Sequence, residues 1–269
     1  MKRPPTLTLV AIFLMGFLYL PVLLVVLFAF NSGAGLTWPI DGISLRWFDA
    51  IFNDSGFRGA FMMSIKAAVT STAIATVVGG LGAIILERQR RWWLAPVAAV
   101  SRLPIMLPPL LIGVSLLTTI AALEISLSLA TIVAGHVIFI IPYVLIVVGA
   151  RLRGFDMQLE HAARDLGATP AQTLRRVTIP VILPAVGGAA LLTFGLSFDE
   201  IYITNFVSGN DPTLTVYVLS KLRRTVDPSV NAVATVLLLI PWIALGLSAL
   251  VMKRSFGAGS VLVSARSRE

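Results

Sequence analysis

Long uncharged hydrophobic runs alternate with short polar segments along most of this chain. About twenty consecutive apolar residues suffice to cross the hydrocarbon core of a bilayer as a helix. Six runs approach or exceed this length, at about residues 7–30, 60–86, 103–122, 127–150, 181–207 and 230–252. The third and fourth are nearly continuous, but together they are too long for one crossing, so a tight turn is expected near Glu124. The pattern predicts an all-α membrane protein with six transmembrane helices, organised as one domain over residues 1–269.

The first hydrophobic run has two possible interpretations. Lys2 and Arg3 precede it, as basic residues precede the apolar core of a signal peptide. Its apolar core, however, is longer than the roughly 7–15 residues that are usual for a signal peptide. An uncleaved first span is therefore favoured.

Composition agrees with a membrane environment and excludes several kinds of site. Mean hydropathy is +0.91, and 13% of the residues are charged, against about 25% in soluble domains. The chain has no cysteine and only two histidines, so cysteine-ligated and histidine-rich metal sites are not expected. A phosphate-binding G-x-x-x-x-G-K-[ST] loop does not occur. We therefore predict no bound metal or cofactor and no catalytic activity of this chain alone.

The net charge of +8 would suit a nucleic-acid partner as well as a membrane protein, and its distribution decides between them. With the N-terminus placed in the cytoplasm, fourteen basic residues fall inside and five outside. The inner set is Lys2, Arg3, Arg88, Arg90, Arg91, Arg151, Arg153, Arg164, Arg175, Arg176, Lys253, Arg254, Arg266 and Arg268, and the outer set is Arg46, Arg58, Lys221, Arg223 and Arg224. This asymmetry follows the positive-inside rule and predicts two cytoplasmic termini. The charge reports topology, and no nucleic-acid partner is expected.

The polar loop between the fourth and fifth spans, residues 151–180, has signals for a defined structure. Asp156 can cap a short helix that ends at Gly167, since glycine commonly follows the last helical turn. Thr169-Pro170-Ala171-Gln172 is typical of a capping box with proline at the first helical position. It would begin a second short helix through Arg176, before Pro180 leads into the fifth span. The first helix presents an apolar stripe for a cytoplasmic protein partner to cover: Leu159, Ala162, Ala163 and Leu166.

The spacing Ala162-Ala163, Gly167 and Val177-x-Ile179-Pro180 resembles the EAA loop of binding-protein-dependent ABC importer permeases, with the pattern E-A-A-x3-G-x9-I-x-L-P. His161 stands at the glutamate position, directly after Glu160. In that family the loop is the coupling helix that docks into a groove on the ATP-binding subunit. The resemblance assigns ATPase coupling to Glu160, His161, Ala162, Ala163, Asp165, Gly167 and Pro180. Whether Glu160 replaces the missing acid stays open, because adjacent helical residues point about 100° apart.

Three further stretches are similar to the second permease of the spermidine/putrescine importer family: "HVIFIIPYVLIVVGARL" (136–152), "LSFDEIYITNFVSG" (196–209) and "VDPSVNAVATVLLL" (226–239). The resemblance implies a type I ABC importer permease fold, like that of the methionine importer, in the bacterial cytoplasmic (inner) membrane. It further implies inward transport of polyamines in a complex with a second homologous permease, an extracytoplasmic solute-binding protein and two ATP-binding subunits that use ATP and Mg.

Three other functions stay open at this point. The chain could be an importer permease for another small organic solute, such as an amine, a phosphonate or an amino-acid-like compound. A stand-alone proton-coupled secondary transporter would typically show an internal repeat, and none is convincing here. A channel or structural membrane protein would have no use for the capped cytoplasmic loop.

Four residues are candidates for the substrate path: Asp199, Glu200, Tyr202 and Glu124. Ionisable side chains within an apolar span are costly, and they indicate function by default. Two carboxylates beside an aromatic ring suit an organic polycation, through ion pairing and cation–π contact. Of the two acids we favour Asp199, because Tyr202 three residues later shares its helical face. The alternatives are solvation at the interface or a structural pair with Lys66 or Arg102, and for Glu124 a solvated turn.

Two features inside the predicted spans have a structural and a functional interpretation. The prolines at 104, 108 and 109 indicate either packing kinks or a broken helix that lines a translocation pathway. His136 could be a proton relay, but we expect it to be a packed, hydrogen-bonded residue.

Overall fold

The computed structural model describes residues 5–33, 35, 38–89, 92–224, 228–243 and 246. In this part of the chain the regular structure is helical, and the β-type pairing is an isolated bridge between Asn31 and Ile43. The helices are α1 (Pro5–Ala29), α2 (Arg46–Asn53), α3 (Ser55–Arg88), α4 (Leu94–Val100), α5 (Leu103–Met106), α6 (Pro109–Ala122), α7 (Leu129–Arg153), α8 (Gln158–Asp165), α9 (Pro170–Thr173), α10 (Ile179–Phe198), α11 (Thr204–Val207), α12 (Leu214–Arg224) and α13 (Ser229–Ile243).

Four stretches of the described residues are long and apolar enough to cross a membrane as single helices. They are Leu9–Ala29, Ser55–Arg88, Leu129–Arg153 and Pro170–Phe198, and they correspond to the first, second, fourth and fifth predicted spans. The sixth predicted span begins in α13, a shorter apolar helix over Ser229–Ile243, and its remainder falls mostly outside the described residues. The all-α membrane class is confirmed, with apolar helices where the sequence predicts them.

The third predicted span is a bent pair of helices and not one straight helix. Leu94–Met106 and Pro109–Ala122 meet at an angle of 106°. Leu107 and Pro108 lie between them in extended conformations, with ψ values of 137° and 130°. Each of these two residues precedes a proline, and a residue before proline is driven out of the helical region. The consecutive prolines therefore break the span, as the proline pattern allows.

The chain forms two compact units, one from the described residues up to Phe61 with Leu214–Ile240, and one that contains Met62–Thr213. In the first unit, Asp54 begins α3 by accepting hydrogen bonds from the backbone N–H groups of Gly56 and Phe57, at 2.7 and 3.3 Å. It also accepts one from the Tyr217 hydroxyl at 2.6 Å. The Tyr217 bond is the largest influence that holds the pKa of Asp54 below its ordinary value. Asp54 is thus a structural cap of α3.

In the second unit, α3, α7 and α10 share a core of small and branched side chains. Gly79 of α3 lies so close to α7 that a Cβ atom there would be 2.8 Å from Cβ of Val144. The helices can approach closely because the residues between them are small, as is usual where helices pack within a membrane. The polar loop and the acidic residues of the fifth span belong to the same unit as this core. That the whole chain is a single domain stays a prediction.

Candidate functional site

Helix α8, in the loop between α7 and α10, begins and ends as its sequence predicts. The Asp156 carboxylate accepts a hydrogen bond from the backbone N–H of Gln158 at 3.0 Å. The helix ends at Asp165, and Gly167 follows with φ +84°. The N–H of Gly167 donates to the carbonyl of Arg164 at 2.8 Å. Glycine adopts this left-handed conformation without the steric cost that other residues incur, so Gly167 ends the helix.

The predicted capping box at Thr169 is confirmed, but the helix it begins continues further than expected. The Gln172 N–H donates to Oγ1 of Thr169 at 3.3 Å, and the Thr169 N–H donates to Oε1 of Gln172 at 2.9 Å. Helix α9 then runs through a π-helical turn, Leu174–Thr178, directly into α10. Pro180 lacks an N–H and crowds the carbonyl four residues before it, and the wider π-helical turn is the place where the chain accommodates this. No interruption therefore separates the loop from the fifth span.

The apolar stripe of α8 is uncovered. Leu159 is 49% exposed and Leu166 is 90% exposed, and Ala162 is exposed beside them while Ala163 is half-buried. Exposed apolar residues that form a contiguous patch, unlike single ones, indicate a surface that contacts a partner. His161, Asp165 and Pro180 are exposed as well. We name the four stripe residues, Leu159, Ala162, Ala163 and Leu166, the α8 face.

Glu160 points away from the α8 face and into the protein. Its side chain is 2% exposed and forms an ion pair with Arg88 from the last turn of α3. The two terminal guanidinium nitrogens of Arg88 donate to the two carboxylate oxygens, in the bidentate geometry that favours strong pairing. The hydroxyl of Thr178, in the π-helical turn, also donates to Glu160. One carboxylate therefore joins α3, α8 and the beginning of α10; we call Arg88, Glu160 and Thr178 the loop cluster.

The electrostatics of the loop cluster favour an ionised Glu160. Burial of the carboxyl acts to raise its pKa, but the hydrogen bonds from Arg88 and Thr178 outweigh burial and hold the pKa below the ordinary value of 4.5. Arg88 also donates to Thr178 at 3.3 Å, and its guanidinium lies over the ring of Phe155 at 5.8 Å. At neutral pH the cluster is a pair of full charges in which the carboxylate is buried and the guanidinium is partly exposed. A second pair, Glu87 with Arg153, lies next to it in sequence but is more exposed, at 19% and 54%.

At the other end of α10, residues 199–203 form a break before the short helix α11. The carboxylate of Glu200 accepts hydrogen bonds from the backbone N–H groups of Ile203 and Thr204 at 2.8 and 2.9 Å. It also accepts one from the Thr204 hydroxyl at 3.0 Å. These donors would otherwise be unsatisfied at the beginning of α11. Glu200 is 6% exposed, so it shapes the break from within.

His136 of α7 ties the break to the neighbouring helix. Its Nδ1 lies 2.7 Å from the Ser197 hydroxyl, and its Nε2 lies 2.7 Å from the Thr204 hydroxyl and 3.6 Å from the Glu200 carboxylate. The Thr204 hydroxyl therefore lies within hydrogen-bond distance of the imidazole, of the Glu200 carboxylate and of the Glu200 backbone carbonyl, at 2.7, 3.0 and 3.1 Å. The imidazole is fully buried. The prediction of a packed, hydrogen-bonded histidine is confirmed.

The two adjacent acids lie in different environments, although residues 199–203 do not form the helix that the prediction from helical spacing assumes. Asp199 is exposed while Glu200 is buried, and Tyr202 is 58% exposed. Within the described residues the Asp199 carboxylate forms no ion pair, so the alternative of a pair with Lys66 or Arg102 is not seen. Asp199 and Tyr202 are therefore exposed, whereas Glu200 is engaged by the protein itself.

Helices α6 and α7 approach the break through glycines. A Cβ atom on Gly113 would lie 3.0 Å from Cα of Ile203, and one on Gly135 would lie 2.7 Å from its Cγ2. Glu124 lies beyond the far end of α6, exposed in the turn before α7, with φ +54°. The predicted turn is therefore confirmed.

Sequence reasoning does not identify Arg88, Thr178, Ser197 or Thr204 as members of these clusters. Arg88 and Thr178 lie 72 and 18 residues from Glu160, and periodicity shows which residues share a face but not which distant side chain meets them. For Glu160 the sequence gives a partial signal of an inward position, because this residue does not lie on the apolar stripe of α8. A charge on the inner side of a capped helix needs a partner.

Comparison with known proteins gives a consistent relationship. Residues 75–259 match the family "Binding-protein-dependent transport system inner membrane component". The chain is 34% identical over 242 residues to the spermidine/putrescine transport system permease protein PotC of Haemophilus influenzae, covering 89% of this chain and 93% of the relative. It is 36% identical over 240 residues to the putrescine transport system permease protein PotI of Escherichia coli, covering 85% of each.

Solved structures with the same fold come from transporters of other solutes. A chain of a bacterial alginate ABC transporter, in complex with an alginate-bound periplasmic protein, superposes with a TM-score of 0.71 at 14% identity, over 93% of both chains. A chain of the MetNI methionine ABC transporter superposes with a TM-score of 0.61 at 18% identity, over 75% of this chain and 98% of that one. The type I importer permease fold is thereby confirmed.

Proposed function

This chain belongs to the family of binding-protein-dependent transport system inner membrane components, and we propose that it transports polyamines inward as one permease subunit of an ATP-driven importer. The substrate class is supported by relatives named for spermidine and putrescine that align over most of the chain. It is also supported by Asp199 and Tyr202, which are both exposed at the break and lie three residues apart in sequence. A carboxylate and an aromatic face are the groups that bind organic ammonium ions.

The observation that carries the coupling part of the proposal is the uncovered α8 face. It lies in the loop with the EAA-like spacing, and Leu166 at its end is 90% exposed. We infer that a separate ATP-binding subunit covers it, that two such subunits use ATP and Mg, and that a second homologous permease and an extracytoplasmic solute-binding protein complete the complex. His161 stands on the exposed side of α8, so the contact there would be made by an imidazole in place of the carboxylate of the motif.

Reconstitution of the complete complex in lipid vesicles tests this proposal. The expected result is uptake of labelled spermidine or putrescine that requires the solute-binding protein, ATP and Mg. Leu166→Asp should place a charge in the apolar contact and detach the ATP-binding subunits while the permease stays inserted. A complex with an inactive ATP-binding subunit is the control for passive leak.

A permease for another small organic solute is the alternative that this experiment separates. Unlabelled amino acids or phosphonates could reduce the uptake at concentrations at which unlabelled polyamines do not. The proposed substrate would then be that solute and not a polyamine. Uptake without any ATP-binding subunit would favour a stand-alone transporter.

The orientation in the membrane belongs to the same proposal. The bias of basic residues places both termini and the α8 face in the cytoplasm. A reporter fused at Arg176 should then report a cytoplasmic position, and one fused at Asn210 an extracytoplasmic position. The reverse result at either site would contradict this orientation, in which the loop cluster is on the cytoplasmic side of the membrane and the break is toward the extracytoplasmic side.

A further inference from the structure

We propose that Glu160 is a positioning residue for energy coupling, which fixes α8 to α3 and α10 so that a displacement of the α8 face reaches the break. This inference rests on the proposed function, since it assigns a role within the coupling of ATP hydrolysis to transport. It assigns Glu160 to the interior of the permease and not to the contact with the ATP-binding subunit.

The direction of the Glu160 side chain separates these two roles. A residue that bound the partner directly would be exposed with Leu159 and Leu166, but the Glu160 side chain is 2% exposed. Its carboxylate oxygens are occupied by Arg88 and Thr178. Ala162 and Leu166 are therefore free to contact a partner while Glu160 holds the helix from behind.

The loop cluster connects α8 to other helices through side chains, in addition to the chain connection through Gly167. Along the chain, α8 reaches α9 through Gly167, which adopts φ +84° and has no atom within 4 Å of the position a Cβ would take. The ion pair to Arg88 and the bond to Thr178 connect α8 directly to α3 and to the π-helical turn, across 72 and 18 residues of sequence.

Helix α10 then connects the loop cluster to the acids. It follows the π-helical turn without interruption and spans 20 residues, a length of about 30 Å at 1.5 Å per residue. Thr178 is at its beginning, and Asp199 and Glu200 follow its last residue, Phe198. A force applied to the α8 face therefore reaches the break through the hydrogen bond between Glu160 and Thr178 and through one helix.

The test is the ratio of polyamine transported to ATP hydrolysed, measured on the reconstituted complex. Glu160→Gln keeps the shape of the side chain and removes its charge. We expect the complex to assemble and hydrolyse ATP, while the ratio falls by about two- to thirtyfold, the range expected when one residue of a coupling network is changed. Glu87→Gln in the neighbouring exposed pair is the matched control and should leave the ratio at the wild-type value.

A cross-link gives a second test that does not depend on the tolerance of Gln at this position. The chain contains no cysteine, so Arg88→Cys with Glu160→Cys introduces the only two thiols of this subunit. The double variant should couple poorly, and a short bifunctional maleimide that joins the thiols should restore the ratio. The same reagent on either single variant should have no effect.

Equal ratios in the wild type and in Glu160→Gln would overturn the proposal. So would a cross-linked double variant that regains stability but not the ratio, because the cluster would then be structural only. A wild-type complex without binding-protein-dependent uptake is a different failure, since it contradicts the proposed function and leaves no ratio to compare.

Discussion

Two buried glutamates in the same unit are stabilised in opposite ways. Glu160, 1% exposed, is balanced by the full positive charge of Arg88, which comes from a helix 72 residues away in sequence. Glu200, 6% exposed, accepts hydrogen bonds from two backbone N–H groups and one hydroxyl within four residues of itself. The first carboxylate joins separate segments, and the second shapes its own.

This difference indicates what each site can transmit. A displacement of α8 must act on α3 or α10 if the Glu160 pair stays intact, because the pair connects these segments directly. Glu200 holds the turn that follows α10, and its link to α7 runs through His136. A change at Glu160 should therefore alter the relation between helices, and a change at Glu200 should alter the local form of the break.

The largest expected effect comes from removing Arg88 alone. Arg88→Met leaves the Glu160 charge buried without its partner, and breaking such a pair costs about 3–5 kcal/mol. Arg88→Met combined with Glu160→Met should recover most of this loss, because an apolar pair of similar size needs no compensation. The measurement is the free energy of unfolding of the purified subunit for both single variants and the double variant. Additive losses in the double variant would show that the two residues do not act as a pair.

Acid should weaken the same pair without a mutation. The pKa of Glu160 is lower in the folded protein than its ordinary value of 4.5, so the unfolded chain binds the proton first as the pH falls. The contribution of the ionised Glu160 to the free energy of unfolding is complete above pH 4.5, and it is lost as the pH falls through the folded-state pKa. The difference in thermal midpoint between wild type and Glu160→Gln should stay constant from pH 8 to about pH 5 and narrow below that. A difference that narrows near pH 7 would contradict the assignment.

Local features of the loop can be predicted from the sequence because their causes are local. The cap at Asp156, the stop at Gly167 and the Thr169 box each depend on residues within a few positions, and the structure contains all three. The apolar runs likewise indicate the helices of the membrane. The pairing of Glu160 with Arg88 depends on how α3 packs against the loop, which no local pattern contains.

The fifth span shows the same limit of prediction from the sequence, at the break after α10. The run 181–207 predicts one helix, but α10 ends at Phe198 and α11 begins at Thr204. Apolar composition indicates what is buried and not where a helix stops. The Asp199-Glu200 pair is a signal for the stop, since the second carboxylate is suited to accept the free N–H groups of a following helix.

An intermediate effect is expected at His136. His136→Ala removes the partner of two buried hydroxyls, on Ser197 and Thr204, and an unsatisfied buried polar group costs about 1–3 kcal/mol. The chain offers a matched control, since its other histidine, His161, is exposed on α8. His161→Ala should leave the free energy of unfolding unchanged within about 0.5 kcal/mol. Equal losses in the two variants would show that the buried network does not stabilise the break.

The smallest effect on stability, and the sharpest separation of roles, is expected within the adjacent acids. Glu200→Gln replaces a carboxylate oxygen by an amide group that faces backbone donors, so it should cost about 1 kcal/mol through lost hydrogen bonding. Asp199→Asn removes an exposed charge and should change stability by less than about 0.5 kcal/mol. Its effect should fall on transport, with a higher polyamine concentration needed for half-maximal uptake.

Uptake curves for Asp199→Asn, Glu200→Gln and Tyr202→Phe, each corrected for the amount of assembled complex, measure these roles. If Asp199 binds the ammonium group, its neutral variant raises the half-maximal concentration while the maximal rate per complex stays near that of the wild type. Glu200→Gln should instead reduce the amount of stable complex, because its carboxylate is already occupied by Ile203 and Thr204. Tyr202→Phe keeps the aromatic face and should bind polyamine as the wild type does. An unchanged half-maximal concentration in Asp199→Asn, together with a raised one in Glu200→Gln, would reverse the assignment and require the buried acid to become exposed during transport.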